Sequence, residues 1–207
     1  MADLNLHETM WSQRYRDAGD AFLFGTEPNR YLRQHAELLP AGGRVLCVAD
    51  GEGRNSVWLA QHGYRVDATE ISPVAIEKAR GLADQVGVPV NFSVQDILNW
   101  QAPQGCYDAV VAIFIQFAAP SEQPQLFAQL RQALKPGGVL MLVGYTPKQL
   151  EYKTGGPPCA DQLYDEALLH KHFGQMETLR LDVFEDDLRE GTAHCGQSAL
   201  IALVARA

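Results

Sequence analysis

Long apolar runs are missing from this 207-residue chain: the longest, residues 109–115 and 199–205, have seven residues each. A helix that crosses a bilayer needs about 20 apolar residues, so the sequence predicts no transmembrane segment. The first residues also lack the basic stretch and following apolar stretch of a secretory signal. We therefore expect a cytoplasmic protein without a membrane partner.

Cysteine is scarce, and the four cysteines never form a Cys-x-x-Cys pair: Cys47, Cys106, Cys159 and Cys195. Zinc knuckles and redox pairs need such closely spaced thiols, so neither is indicated. His170 and His172 stand two residues apart on a predicted helix and therefore point to different faces of it. The sequence thus predicts no metal site.

Basic residues are the minority, with 17 lysines and arginines against 25 aspartates and glutamates and a formal net charge of -8. The richest basic stretch, around Arg14 and Arg16, is diluted by acidic residues. Phosphate backbones repel an acidic chain that has no basic stripe. We expect no nucleic-acid partner.

Short β-like runs alternate with helical stretches from about residue 44 onward. The predicted strands cover residues 44–49, 65–70, 90–94, 107–114, 139–145, 177–184 and 199–205, and the predicted helices cover residues 54–62, 73–86, 123–134 and 164–173. Strands that alternate with helices form a parallel sheet. The last two strands leave no room for a crossover helix between them, so they are expected to pair antiparallel.

Two glycines, Gly51 and Gly53, lie where the first strand turns into its helix. Backbone without Cβ atoms can approach a ligand closely while the first helical amides point at it. Glu70 ends the second strand 17 residues after Gly53, where a carboxylate can accept hydrogen bonds from both hydroxyls of a ribose. Alternatively, the glycines form only a tight turn and Glu70 caps the next helix, although Ser72 already supplies a cap. We interpret the unit as an adenosine site.

Two absences disfavour NAD as the adenosine compound. Ser56 occupies the position of the third glycine in the dinucleotide fingerprint Gly-x-Gly-x-x-Gly. No tyrosine has a lysine four positions later, so the Tyr-x-x-x-Lys pair of short-chain dehydrogenases is also missing.

Five segments occur in order along the chain: residues 45–55 (VLCVADGEGRN), 66–72 (VDATEIS), 95–97 (QDI), 107–108 (YD) and 134–138 (LKPGG). Together they resemble the class I S-adenosylmethionine-dependent methyltransferases. The resemblance implies an α/β, Rossmann-like methyltransferase fold: a seven-stranded mixed sheet in the order 3-2-1-4-5-7-6, with a reversed last strand and helices on both faces. It also implies a methyltransferase domain at residues 41–207 and an N-terminal lid and helical extension at residues 1–40, within one globular domain.

Three more segments, residues 11–15 (WSQRY), 24–29 (FGTEPN) and 153–158 (KTGGPP), resemble small bacterial methyltransferases of the thiopurine and tellurite-resistance (TehB-like) type. In that family the N-terminal segment lies over the cofactor, which implies lid roles for Trp11 and Arg14, with Arg14 directed toward the cofactor's carboxylate. Alternatively, Trp11 and Tyr15 only pack the extension, because residues four apart on a helix share a face.

The resemblance implies S-adenosyl-L-methionine as the cofactor and a set of cofactor-binding residues: Trp11, Arg14, Gly51, Gly53, Asn55, Glu70, Ile71, Asp96, Ile97 and Phe114. Asp96 is expected to accept a hydrogen bond from the adenine amino group, and its alternative role is a solvated helix cap. Two residues depart from the common pattern, Cys47 in place of an acid and Ala49 in place of the first glycine. Alanine permits the turn if its φ stays negative.

The expected reaction is methyl transfer to a small-molecule acceptor such as a thiol or a chalcogen oxyanion. The fourth strand ends without the Asn-Pro-Pro-Tyr element of enzymes that methylate base or amide nitrogen. The acceptor side of an open α/β sheet lies beyond the carboxyl ends of its strands, which places Gln116, Tyr145 and residues 153–158 there.

The predicted turn at residues 185–197 hangs over the same side and carries two candidate catalytic residues, His194 as a base and Arg189 for an anionic acceptor. The alternative for His194 is a surface histidine satisfied by solvent. An alternative function is a non-catalytic regulator that binds S-adenosylmethionine, because a fold can keep a binding site and lose its chemistry.

Overall fold

The computed structural model describes residues 2–207, and side chains from Leu6 onward. The helices are α1 (Ala2–Asp17), α2 (Arg30–His35), α3 (Arg54–Gln61), α4 (Pro73–Val86), α5 (Gln123–Ala133), α6 (Gln149–Tyr152) and α7 (Glu166–Phe173). The strands are β1 (Arg44–Val48), β2 (Arg65–Glu70), β3 (Val90–Val94), β4 (Tyr107–Ile113), β5 (Leu134–Tyr145), β6 (Glu177–Glu190) and β7 (His194–Arg206). Short 3₁₀ helices cover Ala36–Leu38 and Ala160–Gln162.

The seven strands form one sheet in the order β3-β2-β1-β4-β5-β7-β6. Strands β1 to β5 pair in parallel, whereas β7 is antiparallel to both of its neighbours. The predicted order and the predicted reversed last strand are confirmed. The order reverses between β1 and β4, and a cleft opens outside the carboxyl ends of the strands at such a switch point.

The core has two layers, one on each face of the sheet. Helices α2, α3 and α4 cover one face, with Leu32, Leu59 and Ile76 in its apolar cluster. Helices α5 and α7 cover the other face, with Phe127 and Phe173 in its cluster. The residues of β4 are nearly all buried, as expected for a parallel strand covered on both sides. The expected helices on both faces are therefore confirmed.

The hairpin at the end of the chain differs from its prediction. Strand β6 continues to Glu190 and β7 begins at His194, so three residues, 191–193, replace the long predicted turn at 185–197. Acidic residues in this segment suggested a loop, but they lie on the outer strand of the sheet. Edge strands carry charge because charge blocks pairing with other chains.

The N-terminal segment is attached to both sides of the switch point. The Leu23 amide donates to Glu52 Oε2 at 2.7 Å, and the Thr192 amide of the hairpin donates to the Leu23 carbonyl at 3.0 Å. Helix α1 packs on α4, where Ser12 Oγ lies 2.8 Å from Ser72 Oγ. The segment thus covers the carboxyl end of β1. No helix within residues 2–207 has the length and apolar character needed to cross a membrane.

Candidate active site

A pocket opens where α1, the carboxyl ends of β1 and β4, and the β6–β7 hairpin meet. Its empty volume is about 800 Å³, open mouth included, within the range of small-molecule sites. Its walls combine aromatic, apolar and charged side chains: His7, Trp11, Tyr15, Phe24, Ala49, Asp50, Gly51, Arg54, Asn55, Glu70, Ile71, Gln95, Asp96, Ile97, Leu98, Ile113, Phe114, Phe117 and His194.

The turn after β1 forms the floor of the pocket and takes left-handed backbone at three positions. Gly51 has φ +62° and Gly53 has φ +89°. A Cβ on Gly51 would lie 3.0 Å from the Tyr15 hydroxyl, and one on Gly53 would lie 2.8 Å from Ala79 Cβ of α4. The absence of a side chain at Gly51 therefore leaves room for Tyr15 of α1, and its absence at Gly53 permits the close approach of α4.

Ala49 also adopts a positive φ, +47°, so the condition of a negative φ, under which alanine would permit the turn, is not met. The chain must turn sharply out of β1 at this point, and glycine would do so without strain. An alanine in this region costs about 1 to 3 kcal/mol. Such strain is retained where the surrounding structure fixes the backbone, and here that backbone lines the pocket.

Glu70 is buried at the end of β2, and each of its carboxylate oxygens accepts one backbone hydrogen bond. Oε2 accepts from the Gly51 amide and Oε1 from the Ser72 amide, both at 3.0 Å. Burial raises the pKa of Glu70 above its ordinary value, and these two amides oppose the rise. Ser72 Oγ caps α4 by accepting from the Ala75 amide at 3.3 Å. Glu70 is therefore free to face the pocket with its remaining lone pairs.

Asp96, Ile97 and Phe114 form the wall beyond Glu70. Asp96 accepts from the Leu98 amide at 3.0 Å and from Asn99 Nδ2 at 2.8 Å, so it orders its own loop in addition to lining the pocket. Phe114 follows β4 with φ +57°, and its ring stacks on Tyr145 with 4.7 Å between centroids. The apolar side chains provide surfaces for a flat ring.

Three aromatic rings of the N-terminal segment cover the pocket. Trp11 lies 6.0 Å from Tyr15 and 6.4 Å from Phe24 between ring centroids. The ring of Trp11 thus packs within the extension and also lines the pocket, and its role as a lid over the cofactor stays a prediction.

A buried charged cluster lies at the opposite end of the pocket. Glu190 accepts from Arg54 Nη2 at 2.6 Å and from Asn29 Nδ2 at 2.9 Å, and its Oε2 lies 3.8 Å from His194 Nδ1. Burial opposes the ionisation of Glu190, but His194 and Arg54 lower its pKa below the ordinary value. Glu190 is therefore held as a carboxylate.

The ring of His194 sits among aromatic rings. Its centroid lies 4.6 Å from that of Phe24, 4.5 Å from that of Phe114 and 5.7 Å from that of Tyr145. Burial lowers the pKa of His194, and the nearby Glu190 carboxylate only partly opposes that shift. The side chain is 12% exposed, so the structure places His194 in the wall of the pocket.

Comparison with known proteins identifies the fold and a matching domain family for part of the chain. Residues 45–138 match the family model described as "Methyltransferase domain". The structure resembles that of TehB from Haemophilus influenzae, with a TM-score of 0.71 and 18% sequence identity, over 96% of this chain and 66% of TehB. The chain thus has the Rossmann-like fold of methyltransferases, and slightly less than half of it matches a methyltransferase domain.

Two curated relatives are similar to this chain in sequence. One is a ubiquinone biosynthesis O-methyltransferase of Xanthomonas axonopodis pv. citri, 34% identical over 58% of this chain and 50% of the relative. The other is a thiopurine S-methyltransferase of Pseudomonas syringae pv. pisi, 28% identical over 72% of this chain and 74% of the relative. The chain spans about half the length of the first of these. The resemblance to the thiopurine and TehB-like type is thereby supported in sequence and in fold.

The methyltransferase domain and fold imply S-adenosylmethionine as the cofactor, and the lining of the pocket fits it. Eight of the ten predicted cofactor residues lie in the pocket wall: Trp11, Gly51, Asn55, Glu70, Ile71, Asp96, Ile97 and Phe114. Gly53 lies behind the wall, against Ala79. Arg14 is exposed and stacks on Trp11, with its guanidinium 4.5 Å from the ring centroid, so the structure does not place it among the lining residues.

Two residues predicted near the acceptor lie elsewhere. Arg189 precedes the inward-facing Glu190, and successive side chains of a strand point to opposite faces. It is accordingly 84% exposed and paired with Asp187 at 3.1 Å, away from the pocket. Gln116 is buried and bonds both backbone groups of Tyr145, so it anchors the end of β5.

The sequence analysis missed Asp50, Tyr15, Arg54 and Glu190. Arg54 and Asp50 belong to the segment that carried the family resemblance, and that position was the available signal. Asp50 Oδ2 is buried without a hydrogen-bond partner among the described residues. Burial raises the pKa of Asp50 to about 7, with Glu70 adding to the rise and Ser56 and Arg54 opposing it.

Replacing Glu70 with alanine should weaken binding of S-adenosylhomocysteine about 10- to 100-fold, the scale of losing hydrogen bonds to a charged acceptor. Isothermal titration calorimetry measures this directly. The matched control is Glu77→Ala, at an exposed residue of α4, the helix that follows β2. This variant should bind S-adenosylhomocysteine as the parent does. Equal affinity of the Glu70 variant and the parent would remove Glu70 from the cofactor site.

Proposed function

We propose that this protein transfers a methyl group from S-adenosylmethionine to a small-molecule acceptor that binds beside His194. The observation that carries the proposal is the continuity of one pocket. Its walls run from Glu70 and Asp96 at one end to His194 at the other. A cofactor held at the first end would present its reactive group toward the second.

The acceptor end is built for a protic acceptor with an apolar body. Phe24, Phe114 and Phe117 supply apolar walls, and the rings exclude water from the nucleophile. The lowered pKa keeps the His194 imidazole neutral at pH 7, which is the form that accepts a proton. When bound, S-adenosylmethionine supplies a methyl group on a sulfonium as the electrophile. His194 takes the acceptor's proton, and Trp11, Tyr15 and Phe24 keep the site closed.

Thiols are the first acceptor class to test, followed by chalcogen oxyanions and phenols. The relative with the broadest coverage among those above is a thiopurine S-methyltransferase, and the other is an O-methyltransferase. A sulfur acceptor also suits this pocket because a thiol loses its proton to an imidazole more readily than a hydroxyl does.

The test is a turnover assay that follows S-adenosylhomocysteine formation with aromatic thiols, aliphatic thiols, catechols, selenite and tellurite. We expect turnover with at least one acceptor that carries an ionisable proton. A variant with Glu70 replaced by alanine serves as a control and should need more S-adenosylmethionine for the same rate. Tight cofactor binding without turnover of any acceptor would instead support a non-catalytic regulator.

A further inference from the structure

Glu190 and His194 face each other across the turn of the hairpin as the last residue pair of β6 and β7. Gly191 makes the turn possible with φ +68°, and a Cβ there would lie 2.4 Å from the Leu23 carbonyl oxygen. The N-terminal segment therefore contacts the turn directly. The two side chains are fixed in register by backbone that has little freedom to move.

We propose that Glu190 is a positioning residue that holds the ring of His194 with Nδ1 turned toward the carboxylate and Nε2 turned toward the acceptor. The proposal rests on the proposed function, because it gives His194 the orientation that proton removal requires. A base whose second nitrogen is oriented by a carboxylate is an arrangement that unrelated folds have reached repeatedly.

The surroundings of His194 support this orientation. Nδ1 is buried and has no hydrogen-bond partner within the described part of the chain, and the polar atom facing it is Glu190 Oε2 at 3.8 Å. The rings of Phe24, Phe114 and Tyr145 surround the imidazole and restrict its rotation. A modest approach of the two groups would bring them within hydrogen-bond distance.

The charges around the pair keep Glu190 ionised, whereas burial keeps His194 neutral. Arg54 of α3 and Asn29 of the N-terminal segment hold the carboxylate. The groups that act on His194 come from three elements: Glu190 of β6 raises its pKa, whereas Arg54 of α3 and Arg14 of α1 lower it. Removing the Glu190 charge should therefore lower the pKa of His194 further and free the ring from its tautomer.

The first test is NMR spectroscopy of the full chain labelled with ¹⁵N in its histidines, with the His194 signals assigned from a His194→Asn variant. We expect the parent to hold the Nδ1–H tautomer. In Glu190→Gln the tautomer should become mixed, and the titration midpoint of the ring should fall by about 1 unit or more. An Nε2–H tautomer in the parent, or identical titrations in parent and variant, would overturn the proposal without any bearing on methyl transfer.

The second test is kinetic and uses an acceptor found by the turnover assay. Glu190→Gln should lower kcat about 100-fold or more while KM for the acceptor changes little, because orientation of the base is lost and binding surface is kept. The acid limb of the kcat profile should move to lower pH. Glu185→Gln is the matched control, since Glu185 lies on the same strand, is exposed and pairs with Lys148. Parent-like kcat in Glu190→Gln would overturn the proposal.

Loss of Glu190 alone leaves Arg54 buried and unpaired, which can prevent folding. The double variant Glu190→Gln, Arg54→Met removes both charges and avoids that cost. Thermal melting and calorimetry with S-adenosylhomocysteine verify that each variant is folded. The tautomer of His194 in the double variant then tests whether Glu190 orients the ring. A retained Nδ1–H form contradicts this role of Glu190, and a mixed form supports it.

Discussion

Replacing His194 with alanine should lower kcat about 100-fold or more and leave the affinity for S-adenosylhomocysteine unchanged. General base catalysis by a positioned side chain contributes about 10²- to 10⁴-fold. The cofactor end of the pocket, at Glu70 and Asp96, does not touch this ring. Steady-state kinetics with an acceptor identified by turnover, together with calorimetry, separates the two effects.

The dependence of kcat on pH in the parent should reflect the titration of His194. Burial lowers the pKa of His194 below 6.5, so kcat should rise with pH through that lowered value and stay level above it. The alanine variant should lack this limb. His62→Ala, at an exposed histidine that follows α3, is the matched control. An alanine variant at position 194 as active as the parent across pH 6 to 9 would contradict a catalytic role.

Asp50→Asn should stabilise the protein at pH 8 and leave its stability nearly unchanged at pH 4. The folded-state pKa of Asp50 is raised from 3.8 to about 7 by burial, so the folded chain holds this proton more tightly than the unfolded chain. Stability of the parent is therefore lost as pH rises through this interval, and the loss is complete above about 7. The asparagine variant lacks that loss, which corresponds to about 2 to 4 kcal/mol.

Urea unfolding of both proteins at several pH values measures this difference. The gain should grow between pH 4 and pH 7 and then level off. Asp84→Asn, an exposed aspartate on α4, controls for the change of net charge and should show no such dependence. A gain in stability that is equal at pH 4 and pH 8 would show that ionisation of the Asp50 carboxyl does not destabilise the folded protein.

Periodicity and glycine positions predicted the strands β1 to β5, their parallel pairing and the turn at Gly51. These features are local or follow from connection rules: buried parallel strands read as apolar runs, and a helix between two strands forces them to be parallel. Glu70 was predicted to bind a ribose because it stands at the end of a strand that is recognisable in the sequence. The predicted strand at residues 177–184 was shorter than β6, because the charged residues of an edge strand resemble a loop in the sequence.

The acceptor end of the pocket was not predictable in the same way. Glu190 meets Arg54 and Asn29 across 136 and 161 residues of sequence, and no local pattern encodes such contacts. Arg189 was chosen in place of Glu190 because side-chain direction along a strand depends on register. A shift of one residue exchanges the inner and outer faces.

The sequence by itself determined the alternation of strands and helices, the parallel pairing and the reversed last strand, since these depend on short stretches of chain and on connection rules. The resemblance to methyltransferases supplied the sheet order. The tertiary structure decided which titratable groups are buried together. Burial sets the pKa of Asp50 and of His194, and it arises only when the N-terminal segment, α3 and the hairpin close on one another. The glycine turn and Glu70, which are predicted to bind the cofactor, are thus encoded locally, whereas the proposed chemistry depends on packing between distant segments.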